Sequence, residues 1–436
     1  MIHIFVPQIS ERIRYIFHTI FNERLAIAYT LYDNIDSFYA IDGKYKIAYA
    51  NEYVHNALFI EASPLLFETS IENQHLRLSR INDIPICFQT RHPNSLLPFD
   101  IFSACFYFLS RYEEYLPHIK DNHQRYKAEN SFAYQNKLLS TAIVDAWIDL
   151  FSKTLLSHFP DLDIKKHRFQ YTPTYDIDSA FLYKNKSQRI TIMGFVKLLI
   201  KGKWKEMSLR YQVVNNRLPD PFDTYDYLDS LHQTYGLSPH FFILFAKRSR
   251  YDKNIPTNNK NFIRLIRQLA TKATIGIHAS YASSFSNSER LNKEIKNLQQ
   301  HLEQPVSSNR QHYIRLRLPE SYDNLLKNNI TDDYSMGYVH HIGFRAGTSF
   351  PFYFFDLEKN KTTSLKLHPF IFMENALTAE QQLSEAEILD KIKNCIDEVK
   401  KYKGHLITLF HNSSFHDNSS INFKSLYEKI IQYSIK

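Results

Sequence analysis

Residues 170–178, Gln170-Tyr171-Thr172-Pro173-Thr174-Tyr175-Asp176-Ile177-Asp178, decide how the second half of this chain is read. The run is rich in β-formers and ends on two carboxylates spaced two apart. Side chains two apart on a strand share a face, so Asp176 and Asp178 point one way while Ile177 turns to a core. Two like charges side by side repel unless a cation or proton intervenes. Taken alone, a solvated aspartate pair at a strand end is an equally good reading.

Downstream of this strand, apolar runs alternate with helical spacing. Strands are expected at 170–175, 239–245, 274–278, 313–316, 338–344 and 406–410, and helices at 224–235, 258–272, 288–303, 319–328 and 384–401. Such alternation predicts an α/β fold, either a βα barrel or a doubly wound sheet. In both, chemistry gathers at the C-terminal ends of strands. Three further strand ends carry candidates: Gly276-Ile277-His278 followed by Tyr281, Gly343-Phe344-Arg345-Ala346-Gly347, and Leu409-Phe410-His411. A strand-end His is a good metal ligand or proton carrier, although an isolated one is more often a structural hydrogen-bonder. An Arg held between two glycines suits a carboxylate or a substrate anion, or an ordinary structural ion pair.

Upstream, residues 1–160 read as a smaller α+β domain. A strand is expected at 2–6, a helix at 11–21, a hairpin about Asp42-Gly43, a buried helix at 101–115 and another helix at 138–157. No convergent polar set is visible there, so a structural or recognition role is expected. The polar, Pro-containing stretch 159–167 marks the boundary, and the second domain spans 168–436.

Composition removes other classes. The net charge is +8 but scattered, so no nucleic-acid partner is expected. Cys87, Cys105 and Cys395 stand alone, which excludes a Cys-based zinc or redox motif and fits a reducing compartment. None of the nine glycines forms a dinucleotide or phosphate loop, and no GxSxG elbow occurs. The first ten residues lack a basic, then apolar, leader pattern, and no window of about 18 uncharged apolar residues exists, so a cytoplasmic protein is expected. Residues 190–205 are apolar at one end and Lys-rich at the other; they suit peripheral contact with an anionic membrane or, preferably, a helix packed over the barrel.

On these residues the chain resembles the polysaccharide deacetylase superfamily, carbohydrate esterase family four in the broad sense, over about 168–436. Thr174-Tyr175-Asp176-Ile177-Asp178 is similar to that family's first motif, in a TxDxD form found in bacterial members with an uncharacterised N-terminal domain. His278, Gly343–Gly347 and Leu409-Phe410-His411 resemble its later motifs. The resemblance implies a distorted (β/α) barrel and a divalent metal, zinc by expectation, bound by Asp178 and His278. It implies Asp176 as general base, Arg345 orienting Asp176, and His411 as general acid. Ile177 between the aspartates leaves their two roles exchangeable. The implied reaction removes N-acetyl groups from an amino-sugar glycan or glycolipid intermediate in surface polysaccharide biosynthesis. Two other readings stay open: an inactive sugar-binding or scaffold protein on the same fold, and a metal hydrolase of a small cyclic amide. The family's usual second His, four after the first, is Ala282 here, so a third ligand must come from elsewhere. His312 is the expected ligand, ahead of His340, His341 and His368. Tyr281 and His368 are expected to touch substrate.

Overall fold

A computed structural model describes residues 1–285, 287–379, 384–416 and 422–436. In the first part, β1 (Ile2–Phe5), β2 (Tyr29–Tyr32), β3 (Lys46–Ala50) and β4 (Leu58–Glu61) form a sheet in the order β2-β1-β3-β4. All three pairings are parallel. Parallel neighbours need crossover connections, so this part is built as α/β rather than the expected α+β. The expected Asp42-Gly43 hairpin is absent for the same reason. Residues Ile35–Tyr39 are a helix whose start is fixed by the Asn34 side chain accepting from the Ser37 amide at 2.8 Å. That cap outweighs the local turn signal, and β3 pairs with β1 instead. A short antiparallel hairpin follows, β5 (Ser79–Ile81) with β6 (Ile84–Ile86). The helix Ile101–Leu109 is buried all round, as its nearly all-apolar sequence requires.

The second part holds β7 (Gln170–Ile177), β8 (His240–Ile243), β9 (Thr274–Ala279), β10 (Ser308–Gln311), β11 (Asp332–Asp333), β12 (Phe352–Asp356), β13 (Lys361–Leu367), β14 (Phe372–Met373) and β15 (His405–His411). They form one sheet, β12-β13-β11-β10-β9-β8-β7-β15-β14, parallel except for β12 against β13. Among the described residues no ladder joins β12 to β14, so hydrogen bonds do not close a barrel. The sheet nevertheless bends round a small inner core that includes Phe242 of β8, Met373 of β14, and Ile407 and Leu409 of β15. Its outer face joins the main core, which also takes in Ile4, Phe102 and Trp147 of the first part. The two halves therefore share buried surface. The expected boundary at 159–167 is irregular chain, but it is tied down, with the Lys165 amide donating to the Leu25 carbonyl at 2.9 Å.

Helices fall close to expectation, for example Tyr225–Tyr235, Lys260–Ala270, Ser288–Leu302 and Glu385–Lys401. Two expected strands do not form. Residues His312–Ile314 are a tight turn with Tyr313 at φ 63°, and 338–344 are irregular. The strand expected at 313–316 lies instead just before it, at Ser308–Gln311. The stretch 190–205 becomes two helices, Gln188–Ile200 and Trp204–Val214, and no residue of the first is buried. It is not packed over the sheet as preferred from sequence. No helix among the described residues is long and apolar enough to cross a membrane.

Candidate functional site

The C-terminal ends of β7, β9, β10 and β15 meet. Thr174 and Asp176 face inward from β7, while Tyr175 and Ile177 lie in the main core on the other face. Asp178 leaves the strand on the same side as Asp176. Register places Asp176 opposite His411 and His278 opposite Arg310. His312 is the first residue beyond β10.

Asp178, His278 and His312 offer one ligand atom each within 4.8 Å of one another. The His278 Nδ1–H donates to the Arg310 carbonyl at 2.9 Å, which leaves Nε2 free, 3.2 Å from Asp178 Oδ1. The His312 Nδ1–H donates to Asp252 Oδ1 at 2.9 Å, which leaves Nε2 3.3 Å from Asp178 Oδ2. A ring nitrogen anchored by a carboxylate or carbonyl while the other faces a common centre is how protein metal sites fix their imidazoles. His278 Nε2 and Asp178 Oδ1 are buried and have no hydrogen-bond partner. Leaving such atoms unsatisfied costs about 1–3 kcal/mol each, and a divalent cation would satisfy both. Two imidazole nitrogens and a carboxylate fit a zinc-type donor set with one position left over. The Asp178 side chain stays 42% exposed, so the centre is open on one side.

Electrostatics bind the group together. Burial alone would lower the His312 pKa, but Asp178 and Asp252 raise it to about 9. Enclosure would raise the Asp178 carboxyl, yet His312 and His411 hold it well below the usual carboxylate range.

Asp176 is almost fully buried beside this centre, with Oδ2 3.7 Å from His278 Nε2. Arg310 holds it: Nη1 donates to Asp176 Oδ1 at 3.0 Å and to Thr174 Oγ1 at 2.7 Å, while Nε donates to the Tyr334 carbonyl at 2.9 Å. The guanidinium also lies 4.6 Å over the Phe242 ring, capping the inner core. Across the centre, His411 Nε2 is 3.7 Å from Asp178 Oδ2, and its Nδ1 bonds to Glu374. Burial would lower the His411 pKa, but Glu374 first and Asp178 next raise it to about 10. A neutral-pH proton donor and a fixed carboxylate base thus flank one potential cation position.

Two expected site residues lie elsewhere. Arg345 does not reach Asp176. Its Nε and Nη2 pair with Glu114 at 2.9 and 2.7 Å, and Nη1 donates to the Gly337 carbonyl at 3.1 Å. The flanking glycines serve the seam between the two halves: a Cβ on Gly343 would sit 2.2 Å from the Leu139 carbonyl oxygen, and one on Gly347 would sit 2.9 Å from Ile143. His368 pairs with Asp332 at 2.7 Å and stacks on Tyr334 at 4.3 Å, a ring that also meets His240 at the start of β8. It therefore belongs to the opposite end of the sheet and does not line the site. Tyr281 does sit on the rim. It stacks on Tyr251 at 4.1 Å, and its amide donates to Asp252 at 2.7 Å. His340 and His341 are near Arg125 and Glu129 rather than the cation position.

Sequence reasoning missed Arg310, Asp252 and Glu374. Arg310 was within sight, two residues before His312 on a strand of buried polar residues, Ser-Asn-Arg-Gln. Asp252 and Glu374 lie in a loop and at a helix start, with no local pattern to mark them. A cleft of about 840 Å³ lies beside the centre rather than on it, lined by Ile190, Phe245, Lys247 and Arg248 among others.

Residues 2–160 match a family described as a family of unknown function, DUF7033. Curated proteins give no match. Among solved structures, a putative polysaccharide deacetylase from Mycobacterium smegmatis aligns over 62% of this chain and 85% of its own, at 12% identity and a TM-score of 0.38. The Puue allantoinase aligns over 61% and 83%, at 10% identity and a TM-score of 0.39. A probable polysaccharide deacetylase from Pseudomonas aeruginosa PAO1 aligns over 61% and 84%, at 11% identity and a TM-score of 0.38.

Proposed function

We propose that this chain is a metal-dependent hydrolase that removes N-acetyl groups from an amino-sugar glycan or glycolipid. The observation that carries the reading is the Asp178–His278–His312 group with buried, unpartnered ligand atoms, flanked by Asp176 and His411. Asp178, His278 and His312 would hold the cation, zinc by its donor set. When bound, such an ion polarises an acyl oxygen and makes a bound water more acidic. Asp176, held in place by Arg310, accepts a proton from the attacking water. His411, kept protonated by Glu374, gives a proton to the departing sugar nitrogen. Water adds to the acyl carbon, the carbon–nitrogen bond breaks, and acetate and a free amine leave. Tyr281 and its stacked neighbour Tyr251 offer aromatic surface at the rim for a sugar ring.

The scaffold reading rested on Ala282, where a ligand is missing. His312 offers a replacement from the next strand, and a base and an acid stand in place, so catalysis is the better supported reading. The experiment compares chelator-treated and zinc-reconstituted protein on N-acetylglucosamine oligosaccharides, with acetate as readout. Metal-dependent acetate release supports the proposal. Saccharide binding with no release from any N-acetylated sugar would return the scaffold reading.

A further inference from the structure

Between β7 and β8 the chain makes an excursion from the rim, carrying the helices Gln188–Ile200 and Trp204–Val214. In the first helix Ile192, Met193, Val196, Leu199 and Ile200 are between 49 and 79% exposed. At helical spacing these five fall within an arc of about 120°. Trp204, 61% exposed, continues the apolar surface across the turn. The side turned toward the second helix carries Ile190, Thr191, Gly194, Phe195 and Leu198, all half-buried. Arg210 of the second helix is buried against it, donating to the Ile190 carbonyl at 3.2 Å and lying 5.2 Å from the Phe195 ring. A Cβ on Gly194 would meet that guanidinium at 2.2 Å, so the glycine makes room for it. A helix apolar on its exposed side as well as on its half-buried side departs from the usual polar outer face of a soluble helix.

Charge identifies what covers this face. Residues 181–205 contain seven Lys or Arg and no Asp or Glu. Lys197, Lys201, Lys203 and Lys205 border the apolar arc and are exposed. The neighbouring cleft adds Lys247, Arg248, Arg290 and Lys293 beside Ile190. An apolar stripe bordered by cations that outnumber the acids beside them, Glu206 on Lys203 and Glu289 and Glu294 in the cleft, complements an anionic lipid surface.

We propose that this helical hairpin docks the protein on an anionic bilayer, with the aliphatic arc and Trp204 entering the interface and the lysines on lipid phosphates. Both arms of the excursion are fastened to the site's rim. The Asn412 side chain donates to the Ser179 and Phe222 carbonyls at 3.2 and 2.9 Å, next in sequence to His411. Docking therefore brings Asp178 and His411 to the membrane. Resting on the deacetylase reading, the acetylated sugar would then be one carried on a lipid.

The test is flotation of the full-length protein with vesicles of phosphatidylcholine alone or mixed with phosphatidylglycerol. The protein should float with the anionic vesicles, about tenfold less with the neutral ones, and detach as salt rises. Ile192→Glu with Leu199→Glu should lower the bound fraction about tenfold or more, and Lys197→Glu with Lys201→Glu should do so on anionic vesicles only. Failure of the unaltered protein to float, or binding unchanged in both double variants, overturns the proposal. So does a dimer in light scattering that Ile192→Glu/Leu199→Glu splits while no vesicle binds, since a second copy would then cover the face. Binding is read without metal or substrate, so an inactive protein that still floats sinks only the deacetylase reading.

Discussion

Replacing Asp252 by Asn removes one charge and leaves the shape. Asp252 is fully buried, accepts from His312 Nδ1 at 2.9 Å and the Tyr281 amide at 2.7 Å, and takes the Ser249 hydroxyl at 2.7 Å. An Asn oxygen can still accept from His312, but the imidazole loses its anionic partner. Loss of a ligand's supporting carboxylate typically costs 10–100-fold in metal affinity, about 1.4–2.8 kcal/mol. A second effect runs the other way. In the metal-free protein His312 has a pKa of about 9, so at neutral pH a proton must leave before the ring can bind a cation. Two units of pKa are worth about 2.7 kcal/mol. Because the raised pKa keeps the proton on below pH 9, zinc affinity should climb with pH by about one proton's slope up to that point. Without the Asp252 charge the slope should flatten at lower pH. Competition titration against a coloured zinc chelator across pH 6–9 reads both effects. The loss in Asp252→Asn should be largest at high pH, near the full 10–100-fold, and shrink toward acid. An affinity and slope equal to the unaltered protein's would refute the assignment of His312 as a ligand.

Asp176→Asn should retain zinc in the same titration and lower acetate release by about two to four powers of ten; loss of zinc instead would exchange the roles of Asp176 and Asp178. Glu374→Gln removes the largest influence raising the His411 pKa from its ordinary value to about 10. His411 then loses its proton at lower pH, so the alkaline limb of kcat/KM should move toward acid by about 1–3 units, and an unmoved limb would exclude His411 as the acid. Arg345→Met leaves Glu114 buried with Arg111 as its remaining partner, so unfolding in urea should become easier by about 3 kcal/mol while zinc affinity stays unchanged. A stable Arg345→Met protein with collapsed activity would restore Arg345 to the site.

What the sequence alone determined was the periodic part of the molecule. Apolar spacing marks the helices Tyr225–Tyr235, Lys260–Ala270, Ser288–Leu302, Glu320–Lys327 and Glu385–Lys401 within a residue or two, because a helix on a sheet must show a 3.6-residue stripe. Strand ends with chemistry on them, at Asp176–Asp178, His278 and His411, are also local, since alternation and a short apolar run suffice to mark them. Tertiary structure decided the partners. β10 is a strand of Ser, Asn, Arg and Gln, legible as a strand only once β9 and β11 pair with it. That shift by a few residues puts His312 at the strand's end and gives Arg310, not Arg345, the hold on Asp176. Glycines around Arg345 signalled a tight turn, but only packing shows that the turn closes on Leu139 rather than on a substrate. Asp252 and Glu374 come from segments remote in sequence from the imidazoles they hold, 60 residues in one case and 37 in the other. Periodicity is a property of neighbours along the chain, whereas a carboxylate's partner is chosen by the fold that carries distant segments to one rim.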